Sequence, residues 1–427
     1  VRESLMARVV TLDEVQLEGK TVLLRVDINS PLHPDTKSFL DDTRIRMVLP
    51  TLRKLSKSKV VIMTHQSRPG KSDFTATLGH ARELGRLLGK KVGWVNDIHG
   101  SKALKAIGAL KDGEILMLNN VRMDEEEVGL TGKGLEVLRE SKMVSTLSGV
   151  ADVYVNDAFA CAHRASPSMA GFADSLPCVA GELMSMEIRA LQKVSENPDR
   201  PCIAVLGGIK VDDSVKVADN MLRNGICDQI WVIGGVANLF LMRSGIDIGT
   251  PSSDFLRNEL ASKWDDVVEI VDNMLAEFSD RIIMPDDLAA NIGGNRVDTA
   301  VSELPIEAPL LDLGVASTMK LSKAIKEAGT VILNGPAGVF EMEDFAFGTI
   351  EMLNACSESS AYTVMGGGHT ATLVSQRGLA KKMGHVSTGG GACMSFLSGE
   401  SLPGLAALAT SALRFEVEIV MHGIEDL

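Results

Sequence analysis

The sequence predicts an α/β protein whose parallel sheets are divided between two domains. Short apolar runs alternate with longer segments that carry apolar residues at helical spacing, such as 44–56 and 318–328. An alternation of strand, helix and strand favours parallel sheets covered by helices on both faces. A chain of 427 residues exceeds what one hydrophobic core normally serves, which indicates two domains.

The predicted strands form two sets along the chain. The first half contains apolar runs at 21–26, 59–64, 115–118 and 152–155, with a weaker run at 91–95. The second half contains runs at 202–206, 230–233, 282–284, 331–333, 362–365 and 385–386. Ligands of parallel sheets bind beyond the carboxyl ends of the strands, so the residues that follow each run are the most informative.

Polar or cationic side chains follow the strands of the first half. They are Asp27, Asn29, His65, Arg68, Asn119, Asn120, Arg122, Asn156, Asp157, His163 and Arg164. Taken singly, each arginine would be interpreted as a solvated surface charge, and His65 as a buried core histidine. Their joint placement at strand ends instead favours a site for a small anion, because guanidinium groups match the geometry of phosphate and carboxylate.

Glycines follow the strands of the second half. The segments are Gly207-Gly208, Gly234-Gly235, Asn334-Gly335-Pro336, Gly366–Gly368 and Gly389–Gly391. The last lies between a predicted strand ending at Val386 and a predicted helix that closes near Gly399. A glycine-rich helix start exposes N–H groups that bind phosphate, whereas the alternative is a loose turn between elements. Five such ends on one sheet favour a nucleotide site.

Composition excludes several functional classes. The net charge of −13 disfavours a nucleic-acid or anionic-membrane surface, and no apolar run has membrane-spanning length. We expect no signal peptide and a reducing cytoplasm, because the six cysteines are scattered and form no CxxC pair. There is no GxxxxGK[ST] and no GxGxxG followed by a well-placed acid, so a P-loop enzyme and a dinucleotide dehydrogenase are both disfavoured. The segment Gly129–Gly134 follows no predicted strand and is interpreted as a surface turn.

Seven segments resemble signature motifs of the phosphoglycerate kinase family. In the first half, 25–31 (RVDINSP) resembles RVDxNxP, 64–69 (THQSRP) resembles SHxGRP, 118–122 (LNNVR) resembles LENxR, and 156–164 (NDAFACAHR) resembles NDAFxxAHR. In the second half, 206–211 (LGGIKV) resembles LGGxKV, 334–341 (NGPAGVFE) resembles NGPxGxFE, and 386–392 matches VSTGGGA. The segments follow the family's order and span roughly residues 8–410. Together they point to a divergent, archaeal-like branch.

The resemblance implies two Rossmann-like domains joined by a long helix. Residues 1–181 would bind 3-phosphoglycerate, 182–197 would form the helix, 198–400 would bind the nucleotide, and 401–427 would return to the first domain. The implied reaction is reversible phosphoryl transfer between 1,3-bisphosphoglycerate and ADP, giving 3-phosphoglycerate and ATP. Mg²⁺ would travel with the nucleotide rather than occupy a protein metal site. We expect a cytoplasmic monomer whose two domains close on each other.

The resemblance also implies roles for individual residues. The expected substrate-binding residues are Asp27, Asn29, Arg44, His65, Arg68, Arg122 and Arg164, and the expected catalytic residues are Arg44, Lys210, Gly389 and Gly390. The expected nucleotide-binding residues are Gly208, Lys210, Asn334, Pro336, Glu341, Gly367, Gly368, His369 and Thr370. Phosphoryl transfer requires alignment and charge neutralisation rather than a covalent enzyme intermediate, so cations and glycines suffice. Glu341 could alternatively be an acid at a helix start.

Two positions depart from the family pattern. A second lysine expected four residues after Lys210 is replaced by Ser214, with Lys216 two residues further on. An acid expected after Gly368 is replaced by His369, and imidazole is a poor Mg²⁺ ligand because this ion prefers oxygen. A non-catalytic binding protein and a different carboxyl kinase are the alternative functions. The tail beyond the resemblance alternates in polarity over 414–421, which predicts an edge strand.

Overall fold

The computed structural model describes residues 8–421, apart from the side chains of His369 and of residues 416–421. The chain divides into two compact units. One unit extends to Ile188 and also includes the chain from Ser401 onward, whereas the other covers Arg189–Glu400. Each unit contains a six-stranded parallel sheet.

The sheet of the first unit has the strand order β3-β4-β2-β1-β5-β6, and each neighbouring pair is parallel. Its strands are β1 (Thr21–Val26), β2 (Lys59–Met63), β3 (Gly93–Trp94), β4 (Ile115–Met117), β5 (Val153–Asp157) and β6 (Cys178–Ala180). β1 lies at the centre of the sheet. Its residues are aliphatic apart from the polar Thr21 and the charged Arg25. Burial of Val22, Leu24 and Val26 against the flanking helices forms the core of this unit.

Helices cover this sheet and connect its strands. The α-helices are Thr43–Met47, Leu49–Lys54, Leu78–Leu88, Ser101–Gly108, Glu125–Gly129, Leu135–Leu138, Lys142–Ser148, Pro167–Ala170 and the C-terminal Pro403–Met421. Short 3₁₀ helices lie at Leu12–Glu14, Val121–Met123, Phe159–Cys161 and Gly171–Asp174. The predicted helix over 44–56 is interrupted near Val48, directly before a helix with Pro50 in its first turn. Proline lacks an N–H and is tolerated there, so a second helix begins rather than the first continuing.

The sheet of the second unit has the order β15-β14-β13-β7-β8-β9, again with parallel pairs. Its strands are β7 (Cys202–Leu206), β8 (Gln229–Val232), β9 (Ile282–Ile283), β13 (Thr330–Asn334), β14 (Tyr362–Gly366) and β15 (His385–Val386). β7 and β13 are buried along their whole lengths, which explains their aliphatic residues at 203–206 and 331–333. With the first sheet, this confirms the predicted α/β fold with two parallel sheets.

The helices of the second unit follow the same alternation. The α-helices are Val211–Arg223, Gly234–Arg243, Thr250–Leu260, Trp264–Phe278, Val315–Glu327, Phe347–Glu358, Gly368–Gln376 and Gly390–Leu397. Short 3₁₀ helices lie at Ala261–Lys263, Ser279–Arg281, Val301–Glu303, Glu343–Phe345 and Ala380–Lys382. The predicted helix over 318–328 corresponds to Val315–Glu327. Gly399 has a left-handed φ of 79° just beyond Gly390–Leu397, as a residue after a helix end often does.

A three-stranded antiparallel sheet in the second unit was not predicted. Its strands are β10 (Asp287–Ile292), β11 (Asn295–Ala300) and β12 (Leu310–Leu313), in the order β11-β10-β12. β10 and β11 form a hairpin around Gly293 and Gly294, which both have positive φ. β11 is a mostly exposed edge strand with polar residues, so it lacks the apolar run by which the other strands were predicted.

The C-terminal segment is helical, so the edge strand predicted over 414–421 is wrong. The helix packs within the first unit. Ser411 Oγ accepts a 2.8 Å hydrogen bond from the Cys178 N–H, and the Gly404 N–H donates to the Ala162 carbonyl oxygen at 2.9 Å. Ala407 lies in a small apolar cluster with Leu138. Polar and apolar residues that alternate over only eight positions occur in helices as well as in strands. The pattern over 414–421 therefore did not distinguish a helix from a strand.

The helix Glu182–Glu196 carries the chain from the first unit into the second. Its start is attached to the end of β5. Asp157 accepts hydrogen bonds from the Met184 N–H at 3.1 Å and from the Thr51 hydroxyl at 2.7 Å, and Thr51 accepts one from the Glu182 N–H at 2.9 Å. Burial raises the pKa of Asp157 to about 6. Over residues 8–421, no helix combines the length and apolar character needed to cross a membrane.

Candidate active site

A cavity of about 430 Å³ lies in the first unit and contains the side chains of four arginines, Arg25, Arg68, Arg122 and Arg164. We call it the anion cavity. Its other lining residues are Asn29, Ser67, Pro69, Glu127, Val128, Thr131, Cys161, Ser166 and Met169. Four guanidinium groups around one small volume create a strongly positive site that suits phosphate and carboxylate oxygens.

The fold brings these arginines together because their strands are neighbours. Arg25 lies in β1, Arg68 follows β2, Arg122 is in the 3₁₀ helix after β4, and Arg164 follows β5. The order β4-β2-β1-β5 places the four strand ends side by side at one edge of the sheet. Arg122 Nη1 donates a hydrogen bond to the carbonyl oxygen of Ser67, which fixes part of its side chain.

Asp27 and Arg44 form an ion pair next to this cavity. The distance from Arg44 Nη1 to Asp27 Oδ2 is 2.6 Å, and the Arg44 side chain remains 40% exposed. Burial by itself raises the pKa of Asp27. The interactions with His65, Arg44 and Arg25, in that order, and the hydrogen bond from the Asn29 N–H together outweigh burial and hold that pKa below its usual value. Asn29 accepts a hydrogen bond from the Ser67 N–H at 2.9 Å and lines the cavity. Neither Asp27 nor Arg44 is among the lining residues.

His65 is buried behind the cavity and does not line it. Its Nδ1 lies 3.3 Å from Arg25 Nη2, which makes it an acceptor for that guanidinium. Burial lowers the pKa of His65 to about 3, and the neighbouring arginines Arg25, Arg164 and Arg44 act in the same direction. The imidazole is therefore neutral at physiological pH. His65 orients Arg25 but adds no positive charge to the cluster.

Asp27, His65 and Cys161 form a cluster of possible metal ligands whose donor atoms lie within 4.8 Å of one another. The surroundings disfavour a cation. Arg44 already occupies one Asp27 oxygen and Arg25 faces His65 Nδ1. Burial beside the Asp27 carboxylate raises the pKa of the Cys161 thiol, which keeps it protonated and unsuited to metal binding. The cluster is better described as the wall behind the anion cavity.

Three features of this cavity were missed by sequence reasoning. The sequence does not predict Arg25 as a ligand, because it lies inside an apolar strand. Glu127 belongs to an acidic run at a helix start, which resembles an ordinary solvated face, yet it is 4% exposed. Ser166 and Ser168 carry no distinctive sequence signal. Both serine hydroxyls donate to Glu127 Oε1, at 2.8 and 2.6 Å.

Most of the glycines after β7, β8 and β13 serve close packing of backbones. A methyl group at Gly335, where φ is 81°, would lie 2.3 Å from the carbonyl oxygen of Gly207. A methyl group at Gly207 would lie 2.5 Å from the carbonyl oxygen of Pro336, and one at Gly234 would lie 2.9 Å from the same oxygen. The Gly208 N–H donates to that oxygen at 2.9 Å. The interpretation of all five glycine ends as ligand surface is therefore too broad.

The helix starts after β14 and β15 differ, because Gly368 and Gly390, the first residues of these helices, have room for a ligand beside the backbone. A methyl group at Gly368 would meet no atom within 4 Å, and one at Gly390 would lie 3.4 Å from the Gly368 nitrogen. Two helix N-termini, of Gly368–Gln376 and Gly390–Leu397, therefore lie next to each other. The Thr370 hydroxyl is buried there and has no hydrogen-bond partner among the described residues. Adjacent helix starts with a free hydroxyl can bind phosphate oxygens.

Lys210 and Ser214 occupy different surroundings. Lys210 precedes the helix Val211–Arg223 as its N-cap residue and is exposed. Ser214 is fully buried, where its Oγ accepts from Asn334 Nδ2 at 3.3 Å and donates to the Gly207 carbonyl oxygen at 3.4 Å. Lys216 is exposed, two residues and hence about 200° further round the helix. Lys216 therefore lies on a different side of the helix from position 214.

The remaining predicted nucleotide residues lie after β13 and β14. Pro336 follows the tight turn at Gly335, whereas Glu341 is an exposed turn residue two positions before the 3₁₀ helix Glu343–Phe345. The alternative interpretation of Glu341 as an acid at a helix start applies only to this 3₁₀ helix, because the next α-helix begins at Phe347. Gly367 has a positive φ of 88° directly before the helix Gly368–Gln376. The side chain of His369 lies outside the described residues.

Comparisons with known proteins agree with this geometry. A family model described as phosphoglycerate kinase matches residues 12–400. Phosphoglycerate kinases from Methanobacterium bryantii and Methanothermobacter thermautotrophicus are each 44% identical, with 92% and 94% of this chain and 95% and 97% of those proteins covered. The crystal structure of phosphoglycerate kinase from Pyrococcus horikoshii OT3 has a TM-score of 0.85 at 40% identity, with 95% of this chain and 100% of that chain covered.

A second solved structure is less similar in sequence but has the same fold. Phosphoglycerate kinase from Coxiella burnetii has a TM-score of 0.79 at 30% identity, again with 95% of this chain and 100% of that chain covered. Sequence and structural matches thus extend over nearly the whole chain and over both parallel sheets. The chain belongs to the phosphoglycerate kinase family and is a phosphotransferase of glycolysis.

Proposed function

We propose that the anion cavity binds 3-phosphoglycerate or the non-reacting phosphate of 1,3-bisphosphoglycerate, and that the helix starts after β14 and β15 bind ATP or ADP. The observation that carries the proposal is the cluster of Arg25, Arg68, Arg122 and Arg164 around one cavity. Such a cluster supports a doubly charged phosphate with charge-assisted hydrogen bonds. Asn29 lines the same cavity and can hold a hydroxyl or carboxylate group of the substrate.

Two cations are proposed for the transferring phosphoryl group itself. Arg44 is half-exposed beside the anion cavity and is anchored at one nitrogen by Asp27, which leaves its other N–H groups for a ligand. Lys210 is exposed at the start of Val211–Arg223, in the nucleotide-binding unit. Charge on the transferring group is spread over its equatorial oxygens, so cations from both sides stabilise it. The backbone N–H group at Gly390 would add a donor from a helix start, and the Gly389 N–H, which donates to Ser387 Oγ at 3.2 Å, would exchange that partner for the ligand.

The nucleotide site fits phosphates better than it fits a protein-bound metal. The open backbone at Gly368 and the unpartnered Thr370 hydroxyl supply room and a donor for phosphate oxygens. We propose that Asn334, Pro336, Gly208, Gly367 and Glu341 complete the site around the base and ribose. With His369 in place of the family's acid, Mg²⁺ would be held through the phosphates and water. The ion would neutralise phosphate charge when bound.

The proposed site takes its residues from one chain, so we propose that the protein acts as a monomer. The six cysteines are buried free thiols, which suits the reducing conditions of the cytoplasm. The proposed reaction is direct in-line transfer between the two ligands, with no phosphorylated enzyme intermediate.

The variant Arg164→Ala tests the assignment of the anion cavity. It should weaken 3-phosphoglycerate binding by about tenfold or more, since a charge-assisted hydrogen bond contributes about 2 kcal/mol. Binding of MgADP should stay unchanged, because the proposed nucleotide residues belong to the other unit. Titration calorimetry with each ligand measures both constants. Equal weakening of the two ligands would contradict the division of the sites between the units.

A further inference from the structure

Glu127 is an acidic side chain in the wall of a cavity that is otherwise positively charged. It lies in the helix Glu125–Gly129, whose N-cap residue Asp124 accepts hydrogen bonds from the Glu126 and Glu127 N–H groups at 2.7 and 3.2 Å. The Glu127 side chain is 4% exposed, and burial raises its pKa against the opposing effect of Arg25. A buried carboxylate facing an anion site would be expected to repel the anion, so its presence requires an explanation.

The Glu127 carboxylate is fully engaged by the start of a neighbouring helix. Oε1 accepts from the Ser166 hydroxyl at 2.8 Å and from the Ser168 hydroxyl at 2.6 Å, and Oε2 accepts from the Ser168 N–H at 2.8 Å. These groups surround the first turn of Pro167–Ala170. Charge-assisted bonds of this kind fix both the carboxylate and the serine side chains.

The Ser168 hydroxyl connects the Glu127 carboxylate to Arg25 through two hydrogen bonds. A hydroxyl has one proton, and Ser168 gives it to Glu127, so its oxygen lone pairs face Arg25 Nε at 3.0 Å. Arg25 is 2% exposed, and its other nitrogens reach the Val26 carbonyl oxygen and His65 Nδ1. The guanidinium is thus held on three sides while it lines the anion cavity. A glutamine at 127 would offer one acceptor oxygen and an NH2 donor, so it cannot accept all three of the bonds from Ser166 and Ser168, and its hold on the Ser168 hydroxyl would be weaker.

We propose that Glu127 is a positioning residue of the substrate site, which acts through Ser168 to fix Arg25 for an incoming phosphate or carboxylate anion. The proposal rests on the proposed function, because it assumes that the anion cavity binds 3-phosphoglycerate. A guanidinium that is already fixed loses less conformational freedom on binding, so preorganisation strengthens the complex. Glu127 makes no contact with the transferring group in this proposal.

The direction in which 3-phosphoglycerate affinity changes distinguishes the positioning role of Glu127 from a purely electrostatic effect of its charge. Removing a negative charge near the cavity should tighten anion binding if charge alone matters. Removing the anchor should instead weaken binding, because Arg25 becomes free to move. The variant Glu127→Gln removes the charge and keeps the shape, whereas Ser168→Ala breaks the connection and leaves every charge in place. The control is Glu125→Gln, which makes the same charge change at an exposed position of the same helix.

The test measures 3-phosphoglycerate and MgADP binding by calorimetry, together with kcat and KM for the full-length chain. We expect Glu127→Gln and Ser168→Ala each to raise the 3-phosphoglycerate Kd about tenfold, the factor for one charge-assisted hydrogen bond. The double variant should be no weaker than either single variant, since both break one connection. MgADP binding, kcat at saturating substrate and the Glu125→Gln control should change less than twofold.

Several outcomes would overturn the proposal. Tighter or unchanged 3-phosphoglycerate binding in Glu127→Gln would show that the carboxylate does not position Arg25. If the losses of 3-phosphoglycerate binding free energy from Glu127→Gln and Ser168→Ala add together in the double variant, the two residues act independently. If Glu127→Gln does not fold, Ser168→Ala decides alone, because it changes no charge and removes one oxygen. If Arg164→Ala in the same series also leaves binding unchanged, the cavity is not the substrate site and the proposed function itself fails.

Discussion

At the scale of single residues, the cations of this protein differ in how they are held. Arg25 is buried and bonded on three sides, and Arg122 is fixed at one nitrogen. Lys210 is exposed, and its side chain forms no hydrogen bond or ion pair with the residues that the structure describes. Fixed cations suit a phosphate or carboxylate group of the substrate that keeps its position throughout the reaction. A mobile cation suits a group whose charge moves during the reaction, because its long side chain can follow the phosphoryl group.

This contrast predicts the kinetics of Lys210→Ala. Its charge is needed mainly while the phosphoryl group is between oxygens, so kcat should fall by at least about two orders of magnitude with a smaller rise in KM for ATP. Lys216→Ala is the matched control, since it removes an exposed lysine from the same helix and should retain kcat within about twofold. Steady-state kinetics with 3-phosphoglycerate and MgATP, coupled to consumption of the product, measures both constants.

A change confined to KM in Lys210→Ala would assign Lys210 to nucleotide binding alone. A loss of kcat in Lys216→Ala would instead show that the exposed lysine two residues after Ser214 reaches the transferring group. Ser214 is buried and bonded to Asn334, so no cation acts from position 214. We therefore expect Lys210 to be the lysine that contacts the transferring group.

At the scale of structural elements, the glycines of the second sheet serve two purposes. Gly335 and Gly207 allow the ends of β13 and β7 to approach each other, whereas Gly368 leaves open backbone at a helix start. Both kinds occur as short glycine runs after a strand, so sequence alone does not separate them. Whether a glycine serves packing or leaves open backbone depends on how close neighbouring backbone atoms come to the position of an added Cβ atom.

The pair Gly335→Ala and Gly368→Ala separates these purposes experimentally. Gly335→Ala should lower the free energy of unfolding by at least about 1–2 kcal/mol, because of its positive φ and the contact with the Gly207 carbonyl. Gly368→Ala should leave stability within about 0.5 kcal/mol, because the new methyl group meets no atom. It should weaken MgADP binding, since the methyl group holds phosphate away from the backbone.

Urea denaturation followed by circular dichroism gives the stabilities, and calorimetry gives the nucleotide affinity. Equal stability of the two variants would contradict the packing role of Gly335. Unchanged MgADP binding in Gly368→Ala would remove this helix start from the proposed site.

The elements that sequence could predict are those with strong local signals. Buried strands such as β7 are continuous apolar runs, and Arg68, Arg122 and Arg164 follow strands whose order then places them together. β11 was missed because it is an exposed polar edge strand, although the Gly293-Gly294 pair between two short runs is a recognisable hairpin signal. Glu127 could not be found, since its burial depends on Ser166 and Ser168, about 40 residues away in the chain.

At the scale of the whole molecule, the proposed ligands are assigned to different units. The anion cavity is formed by residues of the first unit, and the open helix starts belong to the second. Direct transfer requires reacting atoms about 3–3.5 Å apart, so we propose that the units close around both ligands during the reaction. The chain passes between the units within Glu182–Glu196 and again at residues 400–401, near Leu402-Pro403-Gly404, and these are the proposed hinges.

Closure would also protect the substrate. Exclusion of water from the closed site would prevent hydrolysis of the acyl phosphate and strengthen the charge interactions of Arg44 and Lys210 with the transferring group. The buried connections of Thr51 and Asp157 to the start of Glu182–Glu196 give the first hinge a firm attachment to β5.

Small-angle X-ray scattering of the full chain tests the central claim, that transfer joins two ligands held on separate units. Scattering is recorded without ligand, with 3-phosphoglycerate, with MgADP, and with both. We expect a smaller radius of gyration with both ligands than with either one, because only the pair bridges the two units. An unchanged radius with both ligands, in a buffer where the enzyme is fully active, would contradict closure and the account built on it.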